Sequence, residues 1–190
     1  PLVKVQRIAS ACGCTINDVI LAICGMALRA YLLEGRKLPD RSLVALMPVS
    51  TRQRGDVEMS NRVLIAPVRL HTEAAEPLRQ LREICADTTS IKQALSRSRG
   101  GTPADLPIIG LSWLARGLAQ GIGRFRLADV LPLMGNLVIT NVMTSPVPLY
   151  LCGARLMSYL PALVLMHGQG LGIAVHTYAG SIDVGVIGCP

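Results

Sequence analysis

The stretch that decides the fold is HGQGLGIAVHTYAGSIDVGVIGCP, residues 167–190. It contains two apolar runs, 170–177 and 181–187, joined by the short link Tyr-Ala-Gly at 178–180. Apolar runs of this length with β-branched residues are typical of strands, and a short glycine-containing link between two of them predicts a hairpin turn. The C-terminal part of the chain is therefore predicted to form two paired, buried strands.

Upstream of this hairpin, helical and strand-like patterns alternate. Thr15 is suited to cap a helix whose apolar positions recur with helical spacing until Gly35 ends it. A second helix is predicted to begin at Glu76-Pro77, with a buried stripe of Leu78, Leu81, Ile84, Cys85, Thr88, Ile91 and Leu95. Further strands are predicted at 42–50, 61–70, 137–142 and 149–157, loops at 51–60 and 96–107, and one or two helices within 108–131. This order predicts an α/β, two-layer sandwich with a mixed sheet.

Composition limits the classes of function. The chain has 190 residues, a net charge of +7, and 16 arginines among its 19 basic residues. Only Asp129, Arg155 and Asp183 are charged from residue 127 onward, so the positive excess lies in the first two thirds. A basic face suits nucleic acid, an anionic membrane surface or a phosphorylated ligand. Basic-aromatic clusters, zinc-ligand spacing and a basic recognition helix are missing from the sequence, so no nucleic-acid partner is predicted.

Cysteine usage and hydropathy bear on the compartment. The six cysteines are not dense enough for a disulfide scaffold, and Cys24 and Cys152 fall at apolar positions of a predicted helix and strand, so we predict buried, reduced thiols. No zinc-ligand pattern is present and no metal is predicted. The uncharged stretches 130–154 and 156–182 could span a bilayer by length, but prolines and glycines interrupt both. They are interpreted as buried strands of a cytoplasmic domain.

Several motifs occur in a recognisable order. The chain contains TINDVILAICGMALRAYL (15–32), PVSTR (48–52), EPLRQL (76–81), NLVITNVMTSPVPLYLCGARL (136–156) and the hairpin stretch 167–190. Together these resemble the C-terminal half of the bacterial wax ester synthase/acyl-CoA:diacylglycerol acyltransferase family, within the chloramphenicol-acetyltransferase-like superfamily. The resemblance departs from the family pattern at 143–145, where Met-Thr-Ser replaces Pro-Gly-Pro.

The resemblance implies an O-acyltransferase that moves a fatty acyl group from acyl-CoA to a long-chain alcohol or diacylglycerol. The family's catalytic HHxxxDG motif does not occur in this sequence, so no catalytic residue is assigned. Residues 1–190 are accordingly expected to form a single lobe, with the N-terminal catalytic lobe and a final helix absent. The expected partners are that lobe, the substrate acyl-CoA and the acceptor lipid, with no further cofactor. The domain is also expected to associate peripherally with the inner membrane or with lipid inclusions.

Candidate site residues follow from the same resemblance. Asn17, Asp18, Asn141 and Asp183 are expected to support the site or hold the lobe together, with Asp183 in an ion pair. Gly168, Gln169 and Gly170 are expected to line the substrate channel, because a small-residue run lets substrate approach the backbone. Arg52 and Arg54 are candidate contacts to the CoA phosphates, since guanidinium groups match phosphate oxygens.

Plainer interpretations stay open for these residues. Asp18 could serve only the helix dipole, Arg52 could be a solvated loop residue, and the glycines could form only a turn. His176 is interpreted as a structural histidine within an apolar strand. For the chain as a whole, the alternatives are a non-catalytic lipid- or acyl-binding domain, or a lobe completed by a separate partner chain.

Overall fold

The structure is a computed structural model that describes residues 1–50, 63–97, 135–165 and 169–189. Its helices are α1 (Leu2–Cys12), α2 (Ile16–Glu34) and α3 (Pro77–Arg97). Its strands are β1 (Val44–Ser50), β2 (Val63–Arg69), β3 (Leu137–Met143), β4 (Tyr150–Leu151), β5 (Ala154–Arg155), β6 (Leu171–Tyr178) and β7 (Ser181–Gly188). The predicted loop at 51–60, most of the predicted connection 96–107 and the predicted helices within 108–131 lie outside the described residues.

Local chemistry at both ends fixes helix α2. The Thr15 hydroxyl accepts a hydrogen bond from the amide of Asp18, and the Asp18 carboxylate accepts one from the amide of Thr15. This reciprocal pair is a capping box, which satisfies amides that the first helical turn leaves unpaired. The helix ends before Gly35, as predicted. The preceding helix α1 was not predicted; it ends at Gly13, whose left-handed backbone (φ 65) favours glycine.

The main sheet has five strands in the order β2-β1-β3-β6-β7. Strands β1, β3 and β6 run parallel, whereas β2 and β7 pair antiparallel at the two edges. Strand β2 contains Pro67, which lacks an amide proton and suits the edge position predicted for it. The mixed sheet with helices confirms the predicted fold class.

The core lies between one face of this sheet and the helices. The strand register puts every second residue on that face, and these residues are buried with the apolar sides of the helices. The core includes Val5, Ala9, Val19, Ile20, Cys24, Ala45, Met47, Val68, Leu81, Ile84, Leu137, Ile139, Ile173 and Val175. Its side chains are almost entirely aliphatic, in keeping with the few aromatic residues of the chain.

The segment 156–165 covers part of the opposite sheet face. The Tyr178 hydroxyl donates to the carbonyl of Leu156, and the ring of Tyr159 stacks on His176 with ring centres 4.8 Å apart. Close packing continues at Gly185, where a Cβ atom would clash with the carbonyl oxygen of Pro161. Strand β7 therefore requires glycine at this position.

Two local predictions were wrong. The stretch 149–157 is not one strand but the short hairpin β4–β5, because Cys152 and Gly153 form a turn with φ values of 48 and 82. Cys152 is consequently exposed rather than buried. On α3, Leu78 of the predicted buried stripe is 49% exposed, while Gln80 is buried and donates to the carbonyl of Leu70. A buried amide with a backbone partner satisfies both packing and hydrogen bonding.

Within the described part of the chain, α2 is long and apolar enough to cross a membrane by length and composition alone. Its residues Val19, Ile20, Leu21 and Ala22 are buried in the core. A core helix passes the same test, so this finding is weak evidence for a membrane span.

Candidate functional site

The predicted site residues fall at two opposite ends of the sheet. Asn17 lies in the first turn of α2 beside Asn141, which lies towards the carboxyl end of β3. Gln169 and Gly170 instead precede β6, at the amino-terminal ends of the parallel strands. Gly170 lies five residues before Val175, the register partner of Asn141, and at about 3.3 Å per residue this is about 16 Å along the strand. Gly168, Arg52 and Arg54 lie outside the described residues.

At the carboxyl end, two asparagines from distant parts of the chain meet. The side-chain amide of Asn141 donates to Oδ1 of Asn17 over 3.3 Å, and the amide of Asn17 donates to the sulfur of Met47 over 3.0 Å. A thioether sulfur can only accept, so Asn17 must direct its NH₂ group towards Met47. Oδ1 of Asn17 therefore faces Asn141 and receives its NH₂ group. The free atom of the Asn141 amide is then an acceptor, Oδ1.

Asp18 serves the fold next to this pair. Besides closing the capping box with Thr15, its carboxylate accepts a 2.8 Å hydrogen bond from the hydroxyl of Thr88 on α3. The side chain is buried, and the two bonds satisfy one oxygen each. Asp18 therefore ties the start of α2 to the middle of α3, beside Asn17.

Two polar atoms near the asparagine pair have no partner in the described part of the chain. They are Oδ1 of Asn141 and Oγ1 of Thr177, both shielded from solvent. Because Thr177 lies two residues beyond Val175, its side chain is on the same face of the sheet as that of Asn141. We call Asn17, Asn141 and Thr177 the polar notch. It lies at the carboxyl ends of parallel strands, where α/β sheets commonly bind ligands.

The departure from the family pattern at 143–145 adjoins the notch. The amide and the hydroxyl of Thr144 both donate to the carbonyl of Thr177, and the carbonyl of Ser145 accepts from the amide of Ala179. These bonds hold the chain after β3 against the end of β6. Hydrogen bonds thus position a segment in which the family pattern has proline residues.

At the other end of the sheet, Gly170 lines an apolar cavity of about 630 Å³. The cavity lies between the second half of α2 and the ends of β6 and β7. Among its lining residues are Ala27, Leu28, Tyr31, Leu137, Ile173 and Val186. A Cβ atom at Gly170 would meet nothing within 4 Å, so a larger side chain could enter this space. The neighbouring Gln169 is buried, and its Oε1 has no partner among the described residues.

Asp183 has a different contact from the one expected. Its carboxylate accepts a 3.5 Å hydrogen bond from the amide of Tyr159, and no basic side chain in the described ranges pairs with it. Asp183 is the register partner of His176, on which the Tyr159 ring stacks. Together they position the segment 156–165 over β6 and β7.

One titratable cluster lies outside both regions. His71, Glu73 and Glu83 have potential ligand atoms within 4.8 Å of one another. These groups already pair: Nε2 of His71 lies 2.9 Å from Asp87, Nδ1 lies 3.1 Å from Glu83, and Glu83 accepts from Arg79. The cluster links the end of β2 to α3.

Comparison with known proteins assigns the family. The family model of the WS/DGAT C-terminal domain matches residues 59–190. WS/DGAT stands for wax ester synthase/diacylglycerol acyltransferase. The chain belongs to this family. It is 35% identical over 186 residues to the O-acyltransferase WSD of Acinetobacter baylyi, covering 98% of the chain and 39% of that protein.

A solved structure of the WS/DGAT family has the same fold. The wax ester synthase/diacylglycerol acyltransferase from Marinobacter aquaeolei VT8 matches with a TM-score of 0.72 and 30% identity. The match covers 97% of this chain and 40% of the relative. The chain thus spans about two fifths of the length of these WS/DGAT relatives and corresponds to their C-terminal domain.

The sequence did not indicate Thr177 as part of a site. It is an ordinary strand residue in a run of β-branched positions, and only the parallel pairing of β3 with β6 brings it near Asn141. The family motif did indicate Asn17 and Asn141, which are 124 residues apart in the sequence and in contact in the structure.

Proposed function

We propose that this domain is the C-terminal lobe of an O-acyltransferase that moves a fatty acyl group from acyl-CoA to a long-chain alcohol or diacylglycerol. Its membership of the WS/DGAT family, over most of the chain, carries the proposal. In the reaction, a general base removes the acceptor's hydroxyl proton, the oxygen attacks the thioester carbonyl, and CoA leaves as the thiol. The sequence lacks the HHxxxDG motif, so the base belongs to an N-terminal lobe.

An exposed apolar surface supports contact with that lobe. Between residues 142 and 164, large apolar side chains face solvent: Val142, Met143, Val147, Leu149, Tyr150, Leu151, Met157, Tyr159, Leu160 and Val164. Arg155 is the one charged residue in this stretch. So many exposed apolar side chains in one segment are typical of an interface rather than of a solvated face. We assign it to the N-terminal lobe.

The remaining roles follow from the acyl-CoA substrate. Arg52 and Arg54 follow β1 in the sequence, and the carboxyl end of β1 lies at the same end of the sheet as the polar notch. They are our candidates for binding the CoA phosphates. Acyl-CoA acts as a substrate, and the proposed reaction requires no further cofactor. We place the domain in the cytoplasm, peripherally at the inner membrane or at lipid inclusions.

Transfer from palmitoyl-CoA to hexadecanol or diacylglycerol tests this function. The chain alone is expected to give no product. Joined to the N-terminal region of the Marinobacter relative, or mixed with that region as a separate chain, it is expected to release CoA and form ester. The mixing arm also tests whether two separate chains can complete the site. Ester formation by the chain alone, co-purifying with it through successive columns, would contradict the proposal.

A non-catalytic acyl-binding domain is the second candidate, and the apolar cavity beside Gly170 favours it. Such a module would be monodisperse alone and would bind palmitate with a Kd in the micromolar range or below. The acyltransferase lobe is expected to associate or aggregate through its exposed apolar surface. Sedimentation and palmitate titration of the chain alone separate the two candidates.

A further inference from the structure

We propose that the polar notch binds a secondary amide of the pantetheine arm of acyl-CoA, with Thr177 donating to its carbonyl and Asn141 accepting from its N–H. This inference rests on the proposed function, because it takes acyl-CoA as the substrate. Thr177 is then a positioning residue for the acyl donor.

The first step is the chemistry of the free atoms. The donor chain from Asn141 through Asn17 to Met47 leaves Oδ1 of Asn141 as an acceptor with no donor in the described ranges of the chain. The hydroxyl of Thr177 also lacks a partner among the residues that the structure describes, and a hydroxyl can donate. The notch therefore offers one acceptor and one donor to the same ligand.

The second step is spacing. Asn141 and Thr177 lie on neighbouring parallel strands, offset by two residues on one sheet face. With strands about 4.8 Å apart and a rise of about 3.3 Å per residue, their Cα atoms are about 8 Å apart. An amide presents its N and O about 2.3 Å apart. With a hydrogen bond of about 2.9 Å at each end, one amide can bridge the two side chains.

The third step distinguishes the amide from the acceptor alcohol. In acyl transfer the alcohol must give its proton to the general base, so that proton is not available for Asn141. An amide N–H is not consumed in the reaction and can donate throughout. The pantetheine arm has two such amides close to the reacting thioester, and holding one of them would fix the position of the thioester carbon.

The notch lies near the edge of the domain. Asn141 and Thr177 are each partly exposed as residues, although their two free atoms are shielded from solvent, and Met143, the register partner of Thr177, is 73% exposed. A ligand amide therefore reaches these atoms only when neighbouring side chains move aside. Leaving a buried donor or acceptor without a partner costs free energy. A bound amide would remove this cost at both atoms.

The test uses Thr177→Val, which has nearly the same shape but no hydroxyl, in the active two-lobed protein. The KM for palmitoyl-CoA is expected to rise about three- to tenfold, the effect of one net hydrogen bond, while the KM for hexadecanol stays constant. The melting temperature should not fall, because the lost hydroxyl has no partner in the described part of the protein. Thr177→Ser should restore the wild-type KM, and Thr140→Val, on the opposite sheet face, should change neither constant.

Other outcomes would overturn the inference. An unchanged KM for palmitoyl-CoA would show that the hydroxyl does not contact the donor, and a raised KM for hexadecanol alone would make the acceptor its ligand. If the two-lobed wild type gives no ester at all, the proposed function fails instead. Calorimetric titration of the same proteins with CoA then decides the inference: weaker binding by Thr177→Val supports it, and equal or no binding overturns it.

Discussion

Replacing Asp18 by alanine is expected to destabilise the domain by about 3 kcal/mol. The substitution removes the carboxylate that accepts from the Thr15 amide and from the Thr88 hydroxyl, each over 2.8 Å. Hydrogen bonds to charged groups contribute about 1.5–3 kcal/mol and a helix cap about 1 kcal/mol. For a domain of this size, each kcal/mol lowers the melting temperature by about 2–4 °C, so a decrease of about 6–12 °C is expected.

Asn17→Ala is the matched comparison, because Asn17 begins the same helical turn. Its bonds are a 3.3 Å contact to Asn141 and a contact to sulfur, a weak acceptor. Its loss should lower the free energy of unfolding by only about 0.5–1 kcal/mol. Activity of the two-lobed protein should show the opposite order at temperatures where both variants are folded. Asn17→Ala should then lower activity more than Asp18→Ala, because Asn17 orients Asn141.

Urea unfolding followed by circular dichroism measures both effects, and Thr88→Val completes a double-mutant cycle. Thr88→Val alone should lower the free energy of unfolding by about 2 kcal/mol. The loss in the double variant should be smaller than the sum of the two single losses by about 1–2 kcal/mol, because both substitutions remove the same hydrogen bond. Additive losses, or a loss below about 1 kcal/mol for Asp18→Ala, would refute the role assigned to this carboxylate.

Three further results are expected. Gly185→Ala should destabilise the domain strongly, because its Cβ would clash with the carbonyl oxygen of Pro161, whereas Gly170→Ala should be neutral, because nothing lies within 4 Å of its Cβ. Equal melting temperatures of the two variants would contradict this packing. Burial raises the pKa of the Cys24 thiol from 9.0 to about 11, so the free energy of unfolding should stay constant below pH 9 and fall as the pH rises towards 11. At pH 8, iodoacetamide should label the exposed Cys152 well before the buried Cys24. Gly170→Ile in the two-lobed protein should shift acceptor preference towards shorter alcohols, at about 0.8 kcal/mol per displaced methylene; an unchanged chain-length profile would place Gly170 away from the acceptor channel.

Elements with strong local signals were predicted well. Helix α2 was placed by Thr15 and Gly35, which act on neighbouring amides and carbonyls, and its observed bounds agree with that prediction. The β6–β7 hairpin was predicted because its turn at 178–180 is encoded in adjacent residues. The stretch 149–157 was predicted wrongly, because a continuous apolar run does not show that the chain reverses at residues 152 and 153.

The candidate site was predicted less completely. The family motif indicated Asn17 and Asn141, and the structure brings them into contact. The resemblance separately assigned Gly170 to the substrate channel, and the parallel strands place it at the opposite end of the sheet from the two asparagines. The order of motifs along the chain does not show this, because the direction of a strand decides at which end of the sheet each of its residues lies.

The sequence by itself determined the helices with strong caps, the final hairpin, the aliphatic core and the family. Each of these depends on neighbouring residues or on the order of motifs along the chain. Only the tertiary structure decided that β3 and β6 run parallel in one register, which brings Asn141 and Thr177 near Asn17. It also decided which polar atoms there have no partner among the described residues. Hydrogen-bond satisfaction depends on contacts between residues far apart in sequence, and local patterns carry no information about those contacts.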